Sequence, residues 1–124
     1  MATINPTIAR LGGDDSVLKY TFAALTTTNT VGASVESVQW ADRSVQILGT
    51  FGTNGSVTIQ GSNDGGTTWA ALTDPQGNAI TKTAAAIEQV SEITGHIRPT
   101  VTAGDGDTSL TVVIISRRAQ PLRV

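Results

Sequence analysis

The chain reads as an all-β, single-domain antiparallel β-sandwich, jelly-roll or immunoglobulin-like in kind, with at most one short helix. Three observations predict it. β-branched residues dominate the apolar set, which favours pleated over helical backbone. Glycine and Asn/Asp clusters interrupt the sequence at intervals of roughly eight to twelve residues. Between them, apolar and polar residues alternate with the period of a strand. The 124 residues suit one domain with a core of its own.

Val17–Leu25 is the first clear strand, with Leu18, Tyr20 and Phe22 on one face, and Val35–Trp40 is a weaker one. In Arg43–Gly52 the residues Val45, Ile47 and Phe51 oppose Gln46 and Thr50, and Gly49 marks a bulge or a close backbone approach. Thr53-Asn54-Gly55 is a tight turn, because Asn-Gly readily takes positive φ. Ser56–Ser62 alternates again, with Val57 and Ile59 inward and Thr58 and Gln60 outward. These two strands are expected to pair as a hairpin. Thr68–Leu72 follows as a short strand, and Asp74-Pro75-Gln76-Gly77-Asn78 turns by its own chemistry.

Ile87, Val90 and Ile93 recur at spacings of three behind a capping Thr83, so Ala84–Ile93 reads as one or two helical turns. A short bulged strand is the alternative. His96–Ala103 alternates Ile97 and Val101 against Arg98, Thr100 and Thr102, and Pro99 puts that strand at an edge or a bulge. Gly104-Asp105-Gly106-Asp107 is a turn. Leu110–Ile115 is apolar on both sides of the pleat and best fits a strand covered on both faces. The sandwich therefore spans residues 16–118, with an extended arm at 1–15 and a tail at 119–124. Ile4, Ile8, Leu11, Leu122 and Val124 leave those ends apolar enough to seek a partner.

Composition narrows the chemistry. The absence of cysteine excludes thiolate catalysis, Cys-ligated zinc and disulfides. A net charge of −2, with 15% charged residues, gives no general pull toward nucleic acid or an anionic membrane. No apolar run approaches the ~20 residues of a membrane helix, and the start lacks a basic and apolar leader. His96 is the one histidine and no Gly-x-Ser-x-Gly elbow accompanies it, so no catalytic residue and no cofactor are expected. Asp105 and Asp107, with Asp14 and Asp15, offer hard oxygens to calcium, but the spacing is not that of an EF-hand and Asp-Gly is a common turn. No metal is expected. Arg98, Arg117 and Arg118 would cluster if the last two strands paired, an arrangement suited to a carboxylate on a protein partner.

Ser62-Asn63-Asp64-Gly65-Gly66-Thr67-Thr68-Trp69 carries the most specific signal. Its Ser-x-Asp-x-Gly-x-Thr-Trp spacing resembles the Asp-box of sialidases and of many extracellular or virion β proteins. Ser62 and Asp64 are placed to accept hydrogen bonds from turn amides, Gly66 to take positive φ, and Thr68 leads into Trp69, whose ring anchors the hairpin. The motif implies a structural hairpin, with a carbohydrate platform on Trp69 as the alternative. A sialidase is excluded by length, since four propeller blades need ~160 residues.

Several further segments resemble small β-rich proteins encoded among bacteriophage structural genes, over Trp40 to Arg118. They are Ala41-Asp42-Arg43-Ser44-Val45-Gln46 with Gly49-Thr50-Phe51-Gly52, then Gln60-Gly61-Ser62-Asn63-Asp64-Gly65, Leu72-Thr73-Asp74-Pro75-Gln76-Gly77-Asn78, and Ile97-Arg98-Pro99. The resemblance implies a non-enzymatic capsid decoration (cement) protein, made in the host cytoplasm and seated on the virion exterior. It would bind the major capsid protein as a homo-oligomer, a trimer in many such proteins. Contacts are expected at Ile4, Ile8, Arg10, Leu11, Arg117, Arg118 and Leu122. Two other readings stand beside it: a carbohydrate-binding or host-adhesion module using Trp40, Trp69 and Tyr20, and a head–tail junction or tail protein.

Overall fold

The strands on either side of Asn54 belong to different sheets. In the computed structural model, which describes residues 2–11, 16–36 and 40–118, β1 (Thr7–Leu11), β2 (Val17–Thr26), β4 (Asp42–Thr50), β8 (Ala86–Val90) and β10 (Ser109–Arg117) form one antiparallel sheet in the order β1-β2-β10-β4-β8. The second sheet is β3 (Val35–Glu36), β9 (His96–Ala103), β5 (Ser56–Ser62) and β6 (Ala70–Ala71), and β7 (Thr81–Lys82) also pairs with β5. No helix occurs among the described residues. The two sheets enclose one apolar core.

Alternation decides which side chains enter that core. Leu18, Tyr20 and Phe22 of β2, Val45 and Ile47 of β4, and Leu110, Val112 and Ile114 of β10 point inward from the first sheet. Val57, Ile59, Ile97 and Val101 meet them from the second, joined by Leu72 and Ile80. β10 lies between β2 and β4, and its outward Val113 and Ile115 are half-buried. A bulge in β2 resets the parity near its end: Leu110 pairs with Leu25, Val112 with Phe22, and Ala24 sits at φ 63°. The extra residue turns Leu25 back into the core, where it is fully buried.

Several expectations are corrected. The Asn54 turn, with φ 60°, is a corner between sheets and not a hairpin. A sharp reversal fixes the change of direction, while pairing follows the longer-range registers of β4 with β10 and β5 with β9. Ala86–Val90 is strand: Ile87 faces outward beside Gln46, whereas Val90 faces inward beside Arg43. Residues three apart lie on opposite sides of a pleat, so the spacing of three never forms one apolar stripe here. Gly49 does mark a close approach, since a Cβ there would lie 2.6 Å from the Ser109 carbonyl oxygen.

Pro99 stands in an interior strand, and the bulge that β9 carries lies three residues on, with Thr102 as the extra residue opposite the Ser56–Val57 step. Opposite it, Ile59 directs its own N–H and C=O away, to Ile80 and Leu72, so β5 asks no donor of residue 99. On its other side Pro99 needs to supply just an acceptor, which takes the Gly32 N–H at 3.0 Å. Strand β3 ends before that point, and the ladder resumes with the Val31–Thr100 bridge.

Of the segment expected as a departing arm, the described residues 2–11 are built into the body. Ile4 N–H donates to Val31 and Ile4 C=O accepts from Ala33, while Thr7–Leu11 extends the first sheet along β2. All five residues of β1 are exposed, so no burial pattern marks the strand and backbone pairing alone forms it. Residues 119–124, Asp14 and Asp15 lie outside the described residues, as do three residues of the expected Val35–Trp40 strand.

Arg43 is an inward-facing cation, 2% exposed, on β4. Its Nη2 donates to the Thr94 carbonyl at 2.8 Å, Nη1 to Thr94 Oγ1 at 3.4 Å and Nε to the Trp40 carbonyl at 3.3 Å. Burial lowers its pKa and raises that of neighbouring Tyr20. The guanidinium thus ties β4 to the β8–β9 connection.

Two stability predictions follow from these positions. Ala24→Gly removes an unfavourable positive φ, and the relief of about 1–2 kcal/mol exceeds the added chain entropy of about 0.5–1 kcal/mol, so the urea midpoint rises. Arg43→Leu removes the donors to the buried Thr94 carbonyl and to the Trp40 carbonyl and lowers stability by about 2–4 kcal/mol in the same measurement.

Candidate functional site

The turn from β5 into β6 is organised by two side-chain oxygens. Ser62 Oγ donates to Asp64 Oδ1 at 2.7 Å and accepts the Gly66 N–H at 3.0 Å. Asp64 Oδ1 also accepts the N–H groups of Thr67 at 3.1 Å and Thr68 at 2.9 Å. Gly65 and Gly66 take φ of 76° and 92°, which bends the loop back so that these amides converge on one carboxylate. Trp69 closes the loop by donating its indole N–H to the Gly66 carbonyl at 2.9 Å. The backbone amide of Thr68 leads the interactions that hold the Asp64 carboxyl down at about 2, followed by the Ser62 hydroxyl.

Asp74 and Asp105 use the same chemistry. Asp74 Oδ1 accepts from the Gln76 and Asn78 amides, each at 3.0 Å. Asp105 joins two corners: it accepts the Thr53 N–H from the β4–β5 corner and the Asp107 N–H from its own turn. The Thr53 amide, then that of Asp107, pulls its pKa below the usual carboxylate range. Asp105 thus serves as a corner acceptor, and no group of three or more acidic or histidine ligands occurs among the described residues.

His96 sits in a suggestive row. Glu36 is its partner on β3, with Oε2 3.7 Å from His96 Nε2, and Ser62 is its partner on β5. The hydroxyl is committed elsewhere, because Ser62 is buried and donates its hydrogen bond to Asp64. A serine nucleophile must give that proton to the imidazole, so the row lacks the geometry of a hydrolytic triad.

Other expected contact residues are scattered. Ile8, Arg10 and Leu11 lie on the exposed edge strand β1, and Ile4 packs partly against the core. Arg117 pairs with Asp42 at 2.9 Å, and the Arg118 guanidinium lies 5.3 Å from the Trp40 ring centre. Leu122 lies outside the described residues. Arg98 does not join the other two arginines, because β9 and β10 belong to different sheets. It stacks instead 4.0 Å over the Trp69 ring. Tyr20 is buried beside Arg43 and offers no ring to a ligand.

Two outer faces result, and they differ chemically. The first sheet presents Leu11, Val17, Leu48, Ile87, Val113 and Ile115 among Thr, Ser, Gln and Lys19, with Ile87 66% exposed. A shallow hollow of about 440 Å³ lies on it between Val17, Ser44, Gln89 and Ile115, flanked by the Asp42–Arg117 pair. The second sheet presents Thr58, Gln60, Arg98 and Thr100, roofed in part by Trp69. Sequence reading missed Ile87, the Arg98–Trp69 stack and buried Arg43. Alternation with Val45 and Ile47 was a usable signal for Arg43 alone.

Because Asp64 titrates lower in the folded chain than the ~3.9 of a free aspartate, its contribution is complete above that value and is lost as pH falls toward 2. NMR titration should give Asp64 a midpoint near 2, with the Trp69 Nε1–H resonance changing in step. A midpoint at the free-aspartate value would remove the carboxylate from the turn. Compared with protein-family models, curated proteins and solved structures, the chain matches none of them.

Proposed function

We propose that this chain is a non-enzymatic structural protein of a bacteriophage particle, a capsid decoration protein that docks on the head shell as an oligomer. The observation that supports it best is the outer face of the first sheet. Exposed Ile87, Leu48 and Leu11 stand on a broad strand surface with half-buried Val17, Val113 and Ile115 between them. Apolar side chains spread among polar ones, with Lys19 and the Asp42–Arg117 pair as the charges, suit a contact that must form on a lattice yet leave the free protein soluble. Many shallow contacts repeated by an oligomer reach useful strength through effective concentration. Ser62 and Asp64 are meanwhile engaged in holding their turn, which fits a shape-based role.

The test is attachment to purified phage heads by co-sedimentation. Ile87→Glu should abolish or strongly weaken attachment while changing stability by less than about 0.5 kcal/mol, as expected of an exposed site. Counting copies per particle by mass spectrometry should give a number on the scale of the shell subunits. Undiminished attachment of the variant, or a few copies confined to one vertex, would overturn the reading.

A further inference from the structure

We propose that Arg98 is a docking point for a carboxylate, an acidic side chain that a protein partner presents to the outer face of the second sheet. The guanidinium is held in a fixed plane. It lies flat on Trp69, with 4.0 Å between its carbon and the ring centre, and Nε donates to Gln60 Oε1 at 2.9 Å. Gln60 Oε1 is itself pinned by the Thr100 hydroxyl at 3.0 Å. Stacking and the Nε bond together leave the edge formed by the two terminal nitrogens open. Those nitrogens have no hydrogen-bond or ion-pair partner among the described residues.

That arrangement is unlike the other paired cations. Arg117 has Asp42 and Lys82 has Glu88 as internal counter-charges. Arg98 is partly desolvated by its neighbours, and burial lowers its pKa, yet the groups that orient it are neutral. A planar fork with one open edge matches the two oxygens of a carboxylate, and pre-orientation reduces the entropy lost on binding. An acidic sugar fits less well. Gln60 Oε1, Thr100 Oγ1 and the Trp69 N–H are already bonded to protein groups, and one face of the indole is covered by Arg98. Little remains to read a ring of hydroxyls.

The inference deepens the docking function proposed above and rests on it for the partner being a protein. The isolated chain would be titrated with hexaglutamate, N-acetylneuraminate and inorganic phosphate, following the Arg98 Nε–H and Trp69 Nε1–H resonances by NMR. Hexaglutamate should shift both saturably, and Arg98→Gln should weaken binding at least about ten-fold. Arg98→Lys should also weaken it, since an ammonium has no fork; this variant keeps the charge and carries the comparison if Arg98→Gln unfolds. Absence of a saturable shift, or undiminished binding by both variants, would overturn the proposal. Tighter binding of N-acetylneuraminate or phosphate would overturn it too, assigning the cation to a sugar acid or to anions at large. No particle enters this measurement, so its failure leaves the head-attachment test to be decided separately.

Discussion

Corners held by aspartate carboxylates are what the two sheets depend on. Apart from β1–β2 and the β5–β6–β7 run, each described strand is followed by one in the opposite sheet, so sheet hydrogen bonds do not join most consecutive strands. The connections must turn without that help. Asp105 serves two of them, gathering the Asp107 amide of the β9–β10 turn and the Thr53 amide of the β4–β5 corner, while Asp64 and Asp74 gather amides in the same way within the β5–β6–β7 run. Such local rings require no distant part of the chain to be in place first. Arg43 adds a fixed point at the β8–β9 connection, where a buried carbonyl would otherwise lack a donor.

Local chemistry was therefore the legible part of the sequence. The Ser62–Trp69 turn and the Asp74–Asn78 turn could be read because the residues that make them lie within a few positions of one another. Strands with one buried face, such as β9, announced themselves by alternation. β1 did not, since an edge strand exposed along its whole length has no pattern to show. The Asn54 corner was misread for a different reason. Pairing between β4 and β10 is decided some sixty residues away, by which apolar faces close best on each other, and no turn residue encodes that. The Arg98–Trp69 stack joins β9 to the end of the hairpin loop and was equally invisible to spacing.

The two outer faces divide the surface by chemistry. One is apolar and polar over a wide area, with Lys19 and the Asp42–Arg117 pair as its charges, the other polar with an oriented cation on it. A partner that touched both would meet a nonspecific cohesive surface on one side and a point of registration on the other. That division suits attachment to a repeating surface better than recognition of a small diffusing molecule, for which depth matters more than breadth.

The placement of β10 has a consequence for synthesis. β2 and β4 meet only through it, so the first sheet has no middle until the ribosome has delivered Arg117. Everything made before then is a set of corners and half-sheets whose inner faces are wet. Such a chain must collapse late and almost at once, in milliseconds to seconds as mainly non-local β topologies do, and a stop codon ahead of β10 would leave no smaller folded remnant.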